Sequence, residues 1–264
     1  GSSARDFKTK YIETGAAVAD EHSISDMESG EGFDRVSLDL MGKQLELLKA
    51  IKATGKPFVV VYIQGRPLNM NWAAENADAL LSAWYPGQEG GNAIADVLFG
   101  EYNPAGRLPM SVAKSVGQLP VYYNHRNPAS HDYVEMTSKP LYSFGYGLSF
   151  TSFEYSNLKI NKSNSGVEVT VELRNSGNLD GDEVVQLYLR NNRASVVQPI
   201  MQLKAFERVN LKKGETKTIK LLLTKGDFSI IDKKMNRVVE PNGDFTFMVG
   251  SASDNIKLQE RISF

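Results

Sequence analysis

At 264 residues the chain is long enough for one large domain or two ordinary ones, and its 41% apolar content is that of a globular protein. Its 30 basic and 31 acidic side chains nearly cancel; no basic stripe interleaved with aromatics points to nucleic acid, and no apolar run approaches a membrane span. With no cysteine, a disulfide frame and a thiolate zinc site are both excluded.

Gly1 to Lys10 is polar and lacks the apolar core of a signal peptide. The next informative stretch is Ser29–Arg35, where Glu31 stands between two glycines with Asp34 and Arg35 just behind. Glycine on both sides lets a backbone bend and lets a substrate come close, which suits a loop delivering a carboxyl group into a pocket. The plain alternative is a solvated turn with an idle glutamate, and Asp26 and Glu28 are the competing carboxylates nearby. Downstream, Leu38, Met41, Leu45 and Leu48 recur at helical spacing, widened by Leu47 and Ile51, so a helix is predicted there.

Phe58 to Ile63 is an uninterrupted apolar run of strand length, the pattern of a strand buried on both faces of a parallel sheet. Gly65-Arg66-Pro67 breaks it. Asn71–Asn76 predicts a short helix, Ala79–Tyr85 a second buried strand, and Pro86–Gly91 opens a helix through Ala93, Ile94, Val97 and Leu98 that Gly100 ends. Strand, helix, strand, helix describes an open α/β sheet with crossover connections. Ligands of such sheets bind beyond the carboxyl ends of the strands, where Gly65–Pro67 and Pro86–Gly91 both lie. A phosphate site at Pro86–Gly91 is disfavoured, because Glu89 would repel the anion and no Lys-Ser/Thr follows. Two strands make a thin core for a parallel sheet, so a further strand and a larger domain are expected upstream.

Pro104 to Phe150 is rich in Pro, Tyr, Asn and Gly, yet Tyr122, Tyr123, Tyr142 and Phe144 are too apolar to leave in water, so an ordered connector is expected. From Thr151 the pattern has period two: Val167, Val169, Val171 and Leu173, then Val185, Leu187 and Leu189, then Ile219, Leu221 and Leu223, then Phe245, Phe247 and Val249. Turn-forming residues separate these runs, as in Asn175–Asn178 and Lys213-Gly214-Glu215. The pattern describes a β-sandwich of immunoglobulin-like size. The expected fold class is therefore α/β plus all-β: residues 1–150 a partial, open α/β sandwich with a mostly parallel sheet and its connector, residues 151–264 the β-sandwich.

Glu31 in its glycine-flanked setting, Ala83–Gly91, Phe99–Pro109 and Tyr142–Ser149 together resemble glycoside hydrolase family 3, the β-glucosidase and β-xylosidase family. Asp180–Tyr188 and Leu203–Val209 are similar to the fibronectin type III-like domain at the C-terminus of many members. The resemblance implies a retaining exo-glycosidase of three domains, a barrel, an α/β sandwich and the fibronectin-like domain. This chain would then hold the C-terminal half of the second domain and the whole third. It implies Glu31 as the general acid/base, while the nucleophilic Asp lies on a barrel absent here, so the chain alone is expected to be inactive. Retaining chemistry needs the two carboxyl groups roughly 5–5.5 Å apart across the scissile bond.

Further expectations follow from the residues. Asp34 and Arg35 could steer substrate, although such a pair more often orders a loop or helix start. Trp72 is a candidate for stacking on sugar, Trp84 is assigned to packing, and Glu89 to stabilising a helix N-terminus. His22, His125 and His131 show no ligand spacing, so neither metal nor cofactor is expected. The implied partners are an oligosaccharide substrate and the missing barrel, with no nucleic acid and no membrane. The sheet edge could also pair two copies into a homo-oligomer. By resemblance the enzyme would be periplasmic or secreted. The alternative to an enzyme portion is a non-catalytic module that binds carbohydrate or a partner, or is purely structural.

Overall fold

The computed structural model describes residues 10–14, 17–18, 35–126, 132–163, 166–239 and 243–263. They divide into two compact units, one holding the residues up to Phe99 with Val112–Val121, the other Gly100–Ser111 with the residues from Tyr122 onward. The chain therefore passes between the units three times, after residues 99, 111 and 121.

The first unit begins with a short antiparallel pair, β1 (Lys10–Tyr11) and β2 (Ala17–Val18). Helix α1 (Gln44–Ala53) follows, then β3 (Val59–Tyr62), α2 (Asn71–Asn76), β4 (Ala79–Ser82) and α3 (Gly90–Phe99). Strands β3 and β4 pair in parallel, Val59 against Ala79 through Tyr62 against Ser82, with α2 as the crossover. The parallel α/β reading of the sequence holds. Val60, Tyr62, Leu68, Met70 and Ala73 are buried, and Val112 and Ala113 join this core from the returning segment. Asn71 Nδ2 pins that segment by donating to the Lys114 carbonyl at 2.8 Å.

Two expectations for this unit need correction. Strand β3 is buried on one side only, with Val59 47% exposed. Its burial alternates because the described elements cover one face of a two-stranded sheet. Helix α1 begins at Gln44, not near Leu38, because Gly42 adopts a positive φ of 57° and breaks the helical path. None of its residues is fully buried.

The second unit is a sandwich of two antiparallel sheets. Its strands are β5 (Phe153–Ser163), β6 (Gly166–Asn175), β7 (Gly181–Asn191), β8 (Gln202–Leu211), β9 (Thr216–Thr224), the short pair β10 (Ile230–Ile231) and β11 (Arg237–Val238), β12 (Asp244–Ala252) and β13 (Asn255–Ser263). One sheet runs β13-β12-β7-β8, the other β5-β6-β9. The alternating apolar residues of β6, β7, β9 and β12 all enter one core, with Val169, Val171, Leu173, Val185, Leu187, Phe247 and Val249 fully shielded from solvent. Each such side chain contributes about 1.5–3 kcal/mol by leaving water, which makes this core the main source of the unit's stability.

Of the described connector residues, Tyr123, Phe144 and Gly145 lie on the outer face of β7. Tyr123 stacks on Phe144 at 4.1 Å and meets the ring of Tyr188 edge-on at 6.0 Å. Gln186 Nε2 donates to the carbonyls of Gly145 and Ser251 at 3.2 and 2.6 Å. Strand β7 is thus covered on both faces, and Tyr188, although outward-pointing, is fully buried.

Candidate functional site

Two groups of residues gather the motifs singled out in the sequence. The first lies wholly in the second unit. Asn103 Oδ1 accepts from Ser149 Oγ and the Phe150 N–H, while its Nδ2 donates to the Asp180 carbonyl. Arg107 Nη2 donates to Glu183 Oε1 at 2.7 Å, and both side chains are nearly buried. Three glycines make this approach possible. A Cβ on Gly147 would sit 2.2 Å from the Gly106 carbonyl oxygen, one on Gly181 2.5 Å from Asn103 Nδ2, and one on Gly145 2.2 Å from Gln186 Oε1. Glu183 shares the inward register of Val185 and Leu187, so it and Arg107 close one end of the apolar core. Tyr155 lies in the same electrostatic environment. Burial first, then the Glu183 carboxylate, pushes its phenol up, while Arg107 opposes. Arg107 Nε and the Tyr155 hydroxyl are buried with no hydrogen-bond partner. The bonds of Asn103, Arg107 Nη2 and Gln186 all run to other parts of the chain, and they make this cluster architecture.

The second group lies in the first unit at the carboxyl ends of β3 and β4, where an α/β sheet places its ligands. Buried Gln64 stitches the two ends together. Its Nε2 donates to Ser82 Oγ at 3.0 Å, its Oε1 accepts from the Leu68 N–H, and its own N–H donates to the Trp84 carbonyl at 3.2 Å. Trp84 has a φ of 52°, a left-handed conformation that costs a non-glycine residue about 1–2 kcal/mol. Strain of that kind gathers at functional edges.

The segment that follows Glu31 in sequence is tied to the same edge. Asn69, in the loop after β3, donates through Nδ2 to Asp39 Oδ1 at 2.8 Å and through its backbone N–H to the Leu38 carbonyl at 2.6 Å. Ser37 Oγ donates to Asp39 Oδ2, and Arg35 Nη2 donates to the Asp39 carbonyl. Asn69 Oδ1 in turn accepts from the Asn71 N–H at the start of α2. Arg35 Nη1 is buried with no hydrogen-bond partner.

Of the residues expected to act, Glu31 and Asp34 lie outside the described residues, as do Asp26 and Glu28. Arg35 is placed by its bond to Asp39. Trp72 lies half-buried in the first turn of α2, and its carbonyl accepts from Asn76 Nδ2 at 2.8 Å. Glu89 immediately precedes α3 and accepts from Asn92 Nδ2 at 2.7 Å. Among the described residues no cluster of three or more His, Asp or Glu is placed to hold a metal ion. Sequence reasoning missed Asp39, Gln64 and Asn69. Gly65-Arg66-Pro67 marked the loop that holds Asn69, but nothing in the spacing marked its partner 30 residues away.

The model of the glycosyl hydrolase family 3 C-terminal domain matches residues 13–150, and that of the fibronectin type III-like domain matches residues 183–253. A "Beta-xylosidase" of Formosa agariphila is 44% identical over 238 residues, covering 86% of this chain and 33% of that protein. A "Periplasmic beta-glucosidase" of Salmonella typhimurium is 40% identical over 242 residues, covering 86% of this chain and 32% of that protein. The crystal structure of a β-glucosidase from Listeria innocua is similar with a TM-score of 0.83 at 36% identity, covering 89% of this chain and 34% of that one. This chain thus spans about a third of the length of the relatives it matches.

Proposed function

This chain belongs to glycoside hydrolase family 3, and we propose that it acts as the C-terminal part of a retaining, exo-acting β-glycosidase, with Glu31 as general acid/base. The observation that carries this reading is the anchoring of the segment after Glu31: Asp39 and Leu38 are hydrogen-bonded to Asn69 at the carboxyl end of β3. Leu38 and Asp39, seven and eight residues after Glu31, are thereby tied to the edge of the sheet where ligands bind, which supports a role for the preceding residues there. The nucleophilic Asp belongs to a barrel outside this chain. Across the scissile bond, Glu31 would first protonate the leaving oxygen and then activate water, while the Asp attacks the anomeric carbon. Proximity to that second carboxylate, together with burial, would raise the acid's pKa far enough to keep it protonated.

The uncovered apolar residues of the first unit support a role within a larger assembly. Leu47 and Ile51 on α1 and Leu98 and Phe99 on α3 stand exposed, Phe99 by 82%. Barrel and remaining sheet strands would cover them. The substrates would be terminal β-linked glucose or xylose units of oligosaccharides, and the place of action the periplasm or the exterior. Asp34, Arg35 and Trp72 would contribute contacts near the acid/base.

The test is complementation. The chain is mixed or co-expressed with the N-terminal portion of a family 3 relative, and hydrolysis of aryl β-glucoside, aryl β-xyloside, cellobiose and xylobiose is measured. Turnover is expected from the mixture and not from this chain alone. Glu31→Ala should abolish most turnover of the disaccharides and spare much of the aryl glycosides, whose leaving groups need little protonation, with azide restoring part of the rate. A Glu31→Ala mixture as active as the unaltered one on cellobiose and xylobiose would remove Glu31 from this role.

A further inference from the structure

Beyond Ser82 the second strand of the parallel pair does not simply run on. Its next two residues are still held to the end of β3 and the loop after it: the Ala83 N–H donates to the Tyr62 carbonyl at 2.8 Å, and the Trp84 carbonyl accepts from the Gln64 N–H at 3.2 Å. At Trp84 the left-handed backbone then turns the chain. The turn sets Tyr85 over Gly65, in the loop that leaves β3. A Cβ on Gly65 would fall 2.0 Å from the Tyr85 hydroxyl oxygen and 2.5 Å from its Cζ, so the glycine lets the end of the ring sit this close to the backbone. For all this fixing, Tyr85 remains 64% exposed.

A large flat ring set against the backbone at one end and otherwise left open is what a binding surface offers. Its setting narrows the class of ligand. Its neighbours in sequence along the two loops are Arg66, Pro67, Pro86, Gly87 and Gln88, among which there is no Leu, Ile, Val or Met. Such surroundings suit a hydrated ligand with one apolar face better than the dry core of a protein interface. A pyranose ring in a β-linked oligosaccharide has that character: C–H groups on its faces, hydroxyls around its rim.

We propose that Tyr85 is a stacking platform for a sugar ring of the substrate, seated by Gly65 and aimed by the turn at Trp84. The proposal rests on the reading above that this edge of the sheet faces the oligosaccharide, and it adds a substrate-contacting residue distinct from Glu31. Contact would be made through the ring face.

The test is a titration of this chain with cellotriose and with xylotriose, read by amide NMR shifts of Gly65, Tyr85 and Gly87. Saturable shifts at these amides are expected with at least one of the two sugars. Tyr85→Phe keeps the ring and should weaken the apparent affinity less than Tyr85→Ala does. Tyr85→Ala should weaken it about ten-fold, the factor expected from losing the burial of one aromatic face. Gly65→Ala, with the fold checked by circular dichroism, should weaken it as well by pushing the ring off its seat. Absence of a saturable shift at tens of millimolar sugar, or equal losses in Tyr85→Phe and Tyr85→Ala, would overturn the proposal. The titration involves no turnover, so its failure beside successful complementation would remove the platform and leave the Glu31 reading standing. Failed complementation beside a positive titration would do the reverse.

Discussion

Replacing Arg107 by Met keeps an unbranched stem to pack near Gly147 and removes the guanidinium. Glu183 is then left with its side chain 6% exposed and no cation. One hydrogen bond survives, from the Val184 N–H to Oε1 at 2.7 Å. Breaking a buried pair from one side costs about 3–5 kcal/mol, and the surviving bond places Arg107→Met near the lower end, about 3 kcal/mol. Replacing both partners, Arg107→Met with Glu183→Leu, leaves no uncompensated charge and should recover most of that loss. The readout must be specific to the second unit. Tryptophan fluorescence does not serve, because Trp72 and Trp84 both belong to the first unit. Hydrogen exchange at the core amides of β6 and β7 reports the opening free energy directly. A double-mutant cycle on those amides should give a coupling of about 2 kcal/mol or more. If Arg107→Met cost under about 1 kcal/mol, or if the double variant lost the sum of the singles, the account of a closed, charge-paired core end would be wrong.

Two further predictions concern the same unit. Gly145→Ala must place a Cβ at a φ of 83° and within 2.2 Å of Gln186 Oε1, so it should lower stability by at least about 2 kcal/mol, measured by the same exchange. Asp244 is held down to about 2 by its hydrogen bonds from Arg261, on the neighbouring strand β13. A depressed carboxylate contributes stability that is present above its unfolded value near 3.8 and is lost as pH falls through about 2. Asp244→Asn should therefore flatten the fall of the thermal midpoint between pH 4 and 2, and an unchanged acid slope would count against the pairing.

The sandwich was legible because its physics is local. Period-two alternation in β6, β7, β9 and β12 needs only the pleat to become one buried face, and all four runs entered the core as read. Strand β5 carries Asn157 at a positive φ of 54° with a register shift between Ser156 and Lys159, which breaks the alternation. The first unit was harder. Leu38 and Met41 fit the helical stripe of α1, yet hydrogen bonds from the Asn69 loop and the turn at Gly42 hold that segment outside the helix. Trp84 carries no sequence mark of its left-handed turn, since that conformation belongs mainly to glycine and asparagine. The motifs around Asn103, Arg107, Gly145 and Glu183 were visible one by one. That they interlock depends on pairings such as Arg107 with Glu183, 76 residues apart, which no local pattern encodes.

The three passages of the chain between its units, after residues 99, 111 and 121, bear on how the molecule would come apart. A protease cutting at any one of them would not release two free bodies. A cut after residue 99 would still leave residues 112–121, covalently part of the larger piece, anchored in the smaller one through buried Val112 and Ala113 and the Asn71 to Lys114 bond. The product would be a nicked pair that migrates as one species until denatured. In this respect the chain behaves like an interlaced assembly, without a disulfide to hold it, since it contains no cysteine.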